Sequence, residues 1–93
     1  MIIKTSKENG KEKVTLIDEA LIGKKLTEEI TISKEEYGTE TTTEEEAGDL
    51  IRNAEIIELI GEKSVEIGKK EGLVEPDEIE KIDGTPYAKT DNE

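Results

Sequence analysis

Four short stretches of the chain carry side chains whose types and spacing could do chemistry. The first spans residues 39–49, where Glu40, Glu44, Glu45, Glu46 and Asp49 offer hard oxygen atoms to a divalent cation. Calcium loops set such ligands at fixed intervals around an obligatory turn, and the Asp-x-Asp-x-Asp-Gly pattern is absent here. The run therefore reads as helix capping and solvation, and no metal site is assigned. The second stretch is Gly61-Glu62-Lys63-Ser64. A glycine opening a helix leaves backbone N–H groups free for an anion, and Lys63 adds charge, although plain capping serves the same residues. The third, Gly23-Lys24-Lys25, sets cations beside a glycine; neither lysine-glycine stretch has the Gly-x-x-x-x-Gly-Lys spacing of a phosphate loop. The fourth is Asp83-Gly84-Thr85-Pro86-Tyr87-Ala88-Lys89, a rigid turn that presents an aromatic ring beside a cation. That ring could stack on an unpaired base or seal the edge of a core. The candidate binding set is Lys24, Gly61, Lys63, Gly84, Pro86 and Tyr87, read as one small, partly basic face.

Other chemistries are closed by composition. The 93 residues include no Cys and no His, which removes disulfides, thiolate nucleophiles, imidazole bases and the commonest zinc ligands. Carboxylate pairs are abundant, but acid-base work requires a dry cleft, and 31% hydrophobic residues with 2% aromatic are ill suited to walling one. The chain is accordingly read as non-enzymatic, with no catalytic residues and no cofactor. Formal charge is −12 and unevenly spread: residues 1–25 hold six lysines against four acids, and residues 26–93 hold seven bases against 21 acids. So acidic a body disfavours non-specific duplex DNA, while the more basic N-terminal end leaves room for a local RNA contact. No apolar run approaches the roughly 18 residues of a membrane span, and no signal-peptide layout opens the chain, so the expectation is a cytoplasmic protein with no membrane partner.

The elements that must position these residues follow from local patterns. Residues 2–7 and 12–17 flank Asn9-Gly10, the pair that best tolerates the two positive φ angles of a type I′ hairpin turn. That turn sets Glu8 opposite Lys11, Lys7 opposite Glu12, Thr5 opposite Val14 and Ile3 opposite Leu16. Residues 18–21 read as a helical turn stopped by Gly23, residues 26–33 as a third strand, and residues 34–42 as a loop containing Tyr37-Gly38. Thr41, Thr42 and Thr43 each precede a glutamate by three residues, three overlapping capping boxes for a helix with Ala47, Leu50, Ile51 and Ala54 on its inner face. It should end near Ala54. Residues 56–60 are a short buried strand, and 62–71 form a second helix closed by Gly72. Pro76 blocks its continuation, 78–82 form a last strand, and the chain from 85 onward becomes increasingly polar.

This order predicts an α+β fold: a small single domain over residues 1–88, with an N-terminal β-hairpin and a mixed sheet carrying about two helices on one face, and a mobile tail over 89–93. Together, Leu21-Ile22-Gly23-Lys24, Tyr37-Gly38, Ala54-x-Ile56, Gly61-Glu62-Lys63-Ser64-Val65, Gly72 and Ile82-x-Gly84-x-Pro86-x-Ala88 resemble a small archaeal family, domain-of-unknown-function family 424. That family's pattern closes on Gly-Val-Pro-His-Ala-Gln, and here Thr85, Tyr87 and Lys89 stand at the variable places. The resemblance implies a compact α+β domain without an established activity, associated with RNA or the translation apparatus. The resulting reading is a binding module whose partner is RNA or a ribonucleoprotein; the alternatives are a protein-interaction or oligomeric structural domain and, behind these, a small enzyme using carboxylates.

Overall fold

The protein, seen in a computed structural model, is described over residues 1–23, 40–82 and 84–91. Strand β1 (Ile2–Glu8) and strand β2 (Lys11–Ile17) form the hairpin, with every pairing predicted from the turn in place. Asn9 and Gly10 have φ of 54° and 81°, the double left-handed geometry that matches the twist of the flanking strands. After β2 the chain makes a 3-10 turn at Glu19–Leu21. Residues 40–42 then run along the outer edge of β1, where Ile3 N–H donates to Glu40 O and Thr42 N–H donates to Met1 O, both at 2.9 Å.

Helix α1 (Glu44–Arg52) starts at Thr43, whose hydroxyl accepts from Glu46 N–H at 3.2 Å; of the three overlapping boxes, this is the one used as the cap. Glu44, Glu45 and Glu46 in its first turn and Arg52 in its last complement the helix dipole. Ala47 and Ile51 are buried as expected, but Leu50 is 40% exposed. Leu50 lies about 100° round the helix from Ile51, outside the narrow stripe that meets the sheet. The helix also ends two residues short of Ala54, which is nevertheless buried.

Strand β3 (Ile56–Ile60) lies parallel to β2, so the segment between them, including α1, is a crossover. Helix α2 (Glu62–Lys70) closes with paired bonds, Leu73 N–H to Gly68 O and Gly72 N–H to Lys69 O, both 3.0 Å, which cap its last carbonyls. Pro76 does more than block the helix: with Glu75 and Glu78 it forms a capped 3-10 turn at Pro76–Glu78, so strand β4 (Glu80–Ile82) starts two residues later than predicted. The largest departure is the end of the chain. Residues 89–91, assigned above to a mobile tail, belong to strand β5 (Thr85–Asp91), which lies between β3 and β4. Its sequence hides this because Ala88 is its one fully buried residue; the ladders to β3 and β4 hold it, not apolar periodicity. The expected third strand at 26–33 and most of the loop at 34–42 lie outside the described residues.

The described strands form a five-stranded mixed sheet in the order β1-β2-β3-β5-β4. One face carries the row Ile3, Leu16, Leu59 and Ala88, and beside it Val14 and Ile57, against which both helices pack through Ala47, Ile51, Val65 and Ile67. Burying each such Leu or Ile contributes roughly 1.5–3 kcal/mol. The other face carries a smaller cluster, Ile2, Ile17 and Ile60, with Leu21, Ile22, Ile82 and Tyr87 packed on it. Among the described residues no helix is long and apolar enough to cross a membrane.

Candidate functional site

The parallel strands β2 and β3 end side by side, and Asp18 N–H donates to Ile60 O at 3.0 Å across that boundary. Crevices outside the carboxyl ends of parallel strands are favoured ligand positions because loops and helix starts meet there. Here Asp18 follows β2, Gly61 follows β3, and the first turns of α1 and α2 both open on the same space. Gly61 has no side chain with which to cap α2, so the first N–H groups of that helix need an acceptor from elsewhere. Asp18 supplies it: Oδ2 accepts from Lys63 N–H at 3.0 Å, and Oδ1 accepts from Ser64 N–H at 2.9 Å and from Ser64 Oγ–H at 2.8 Å. The carboxylate sits so close to the turn that a Cβ at Gly61 would stand 2.6 Å from Asp18 Oδ2, and φ of 108° there already favours glycine.

Above this joint lies a cleft of about 520 Å³ lined by Asp18, Glu19, Ala20, Thr42, Thr43 and Lys63, among others. It shares Glu44 and Lys63 with a second cleft of about 400 Å³ that also touches Glu62, Glu66, Ile67 and Lys70. That one in turn shares Glu44, Ile67 and Lys70 with a third, of about 470 Å³, bounded by Glu45 and Glu71. The three form one elongated groove from the carboxyl end of the sheet along α2, with the first turn of α1, Glu44 and Glu45, on its other side. Glycine at position 48 keeps the seam between the helices tight, since a Cβ there would stand 2.7 Å from Glu71 Oε1. At the mouth, the Met1 ammonium hydrogen-bonds the Glu19 carboxylate and, with the charge of Lys63 adding to the effect, holds it below the usual carboxylate range.

The far face of the sheet is organised differently. Lys4, Thr15, Glu58 and Lys89 form one row across four strands. Glu58 accepts from Tyr87 O–H at 2.7 Å and Thr15 Oγ–H at 3.3 Å, and pairs with Lys13 at 3.4 Å. Glu8 bridges Lys89 at 2.9 Å and Lys13 at 3.5 Å, and the Lys89 hydrogen bond, aided by the charge of Lys13, holds its carboxyl below the ordinary range. Lys11 pairs with Asp91 at 2.9 Å.

Of the six residues singled out from sequence, the structure brings three together: Gly61 N–H donates to Pro86 O at 2.9 Å, two residues before Lys63 at the groove mouth. Gly84, at φ 82°, forms part of the turn into β5. Tyr87 pairs with Ile60 and stands on the far face, its ring packed on the apolar cluster and its hydroxyl on Glu58. Lys24 lies outside the described residues. Sequence reading missed Asp18 and Glu58. The first could have been found by asking which acceptor serves a helix that begins on glycine, and the second from the alternation that puts Glu58 opposite the helix-facing Ile57 and Leu59.

Fold and site together define a small α+β domain with a mixed sheet and an acidic groove beside a helix start capped by Asp18. The chain belongs to the family described as protein of unknown function DUF424, whose pattern matches residues 5–90. Its fold is also that of an uncharacterized conserved protein from Methanopyrus kandleri, solved by crystallography: TM-score 0.82 and 24% identity, over 96% of this chain and 88% of that one. No curated protein matches the chain.

Proposed function

We propose that the protein is a non-enzymatic binding module that takes a segment of a macromolecule into the groove between α1 and α2. The observation that carries this reading is the continuity of the three clefts, which share Glu44, Lys63, Ile67 and Lys70 and so favour an extended occupant over a compact one. The groove begins where the carboxyl ends of β2 and β3 meet, with Asp18 and Lys63 at its mouth. The setting in RNA or translation assemblies implied by the family resemblance belongs to the same proposal.

The absence of cysteine makes the test direct. A photo-crosslinker placed through Lys70→Cys should capture a discrete partner in native lysate, and the same probe at Lys81→Cys, on the edge strand β4, should not. Nuclease treatment before crosslinking then reports whether RNA is needed for capture. Equal crosslinking from both positions, or none from Lys70→Cys, would count against the groove.

A further inference from the structure

We infer that the occupant of this groove is a lysine- and arginine-rich segment of a partner protein. The inference rests on the binding-module reading and adds the chemistry of the partner. Three features carry it. The first is reach: the lining residues of α2 run from Glu62 to Lys70, the whole of this 9-residue helix and about 13 Å, which an extended peptide covers with roughly four residues. The second is charge. The carboxylates of Glu44, Glu45, Glu62 and Glu66 outnumber the ammonium groups of Lys63 and Lys70 along the groove. Among the described residues, Glu44, Glu45 and Glu62 take part in no ion pair, and neither do Lys63 and Lys70, so the acids keep the excess among the unmatched groups of the groove, whereas lysines 11, 13 and 89 on the far face are each matched with an acid. Unmatched carboxylates on an unpartnered helix seam complement a cationic chain and repel a phosphate backbone. The third is the groove wall. Ile67 borders two of the three clefts but is only 6% exposed, so the wall is made of charged side chains and a cationic chain meets the glutamates directly. A basic arm of this kind is also what nucleic-acid-binding proteins carry, which fits a ribonucleoprotein setting.

The experiment is fluorescence anisotropy with two labelled probes, an eight-residue Lys/Arg peptide and an oligouridylate of eight nucleotides, at two salt concentrations. Three proteins are compared after circular dichroism has shown each to be folded: the wild type; Glu44→Gln/Glu45→Gln/Glu62→Gln in the groove; and Glu12→Gln/Asp77→Asn/Glu80→Gln, which changes net charge equally on the hairpin, the second 3-10 turn and the edge strand. The peptide should bind the wild type. The groove variant should weaken it about tenfold or more, the yield of two or three charge pairs, and the control variant less than about threefold. Equal weakening by both variants would reduce the effect to general acidity and overturn the inference. Binding of the oligouridylate in preference to the peptide would overturn the basic occupant while leaving the binding module standing. Failure of both probes to bind would remove the basic occupant and, with a negative Lys70→Cys crosslink, the module as well.

Discussion

The two sides of the sheet handle charge differently. On the far face, Lys13, Glu58, Glu8 and Lys89 are joined by contacts of 2.9–3.5 Å, and Tyr87 and Thr15 add hydroxyl bonds to the same Glu58. On the helical side, Arg52 pairs with Glu71 and Lys69 with Glu66, but Glu44, Glu45 and Glu62 stand in first turns where they complement helix dipoles, with no ion-pair partner among the described residues. Charge matched within the chain stabilises the fold and leaves little for a ligand. Unmatched charge contributes less to the fold and remains available to a partner. A net charge of −12 therefore says less about function than the distribution of the matched and unmatched groups.

Breaking the joint between the two sides should have the largest effect. Asp18→Ala removes three hydrogen bonds at the start of α2 and leaves that helix uncapped, and should cost about 2 kcal/mol in a denaturant unfolding curve. A midpoint within error of the wild type would show that the carboxylate does not hold the helix. Gly10→Val comes next, because it forces a β-branched residue to φ near 81° and should destabilise by about 1–2 kcal/mol.

Smaller effects sharpen the contrast itself. Glu58→Gln keeps one acceptor oxygen, for Tyr87 or Thr15 but not both, removes the attraction to Lys13, and should cost about 1 kcal/mol, at the upper end of the range of partly exposed pairs. Neutralising Glu44, Glu45 and Glu62 together trades lost dipole interactions against relieved repulsion and should shift stability by less than about 0.5 kcal/mol. A reversed order, with the groove variant the less stable, would mean that the groove acids serve the fold. The last effect concerns protonation. The Glu8 carboxyl is held low by Lys89, so its contribution is present above the ordinary carboxylate range and is lost as pH falls through its depressed folded value. Carbon-detected NMR should show Glu8 titrating below the ordinary glutamate range, and Lys89→Met should move it up towards that range.

Much of the fold was legible because local signals were strong. Asn9-Gly10 determined the whole hairpin register, the run Thr41, Thr42 and Thr43 and later Gly72 delimited helices, and the aliphatic run at 56–60 marked the central strand. The strand over Thr85–Asp91 was not legible, since it shows its partners mainly polar side chains and is held by backbone ladders on both edges. The candidate site was legible only in part. Gly61 and Lys63 stood out by type, but the acceptor for that helix start, Asp18, lies 45 residues before Lys63 in the chain. The groove itself belongs to two helices separated by a strand, a juxtaposition that no spacing along the chain encodes.

The most direct measurement is a chemical-shift map. Titrating isotope-labelled protein with the Lys/Arg octapeptide should move the amide signals of Glu44, Glu45, Lys63, Glu66 and Lys70 while those of Lys13, Glu58 and Lys89 stay in place. Shifts centred on the far face of the sheet, or spread evenly over every acidic residue, would contradict the division between matched and available charge.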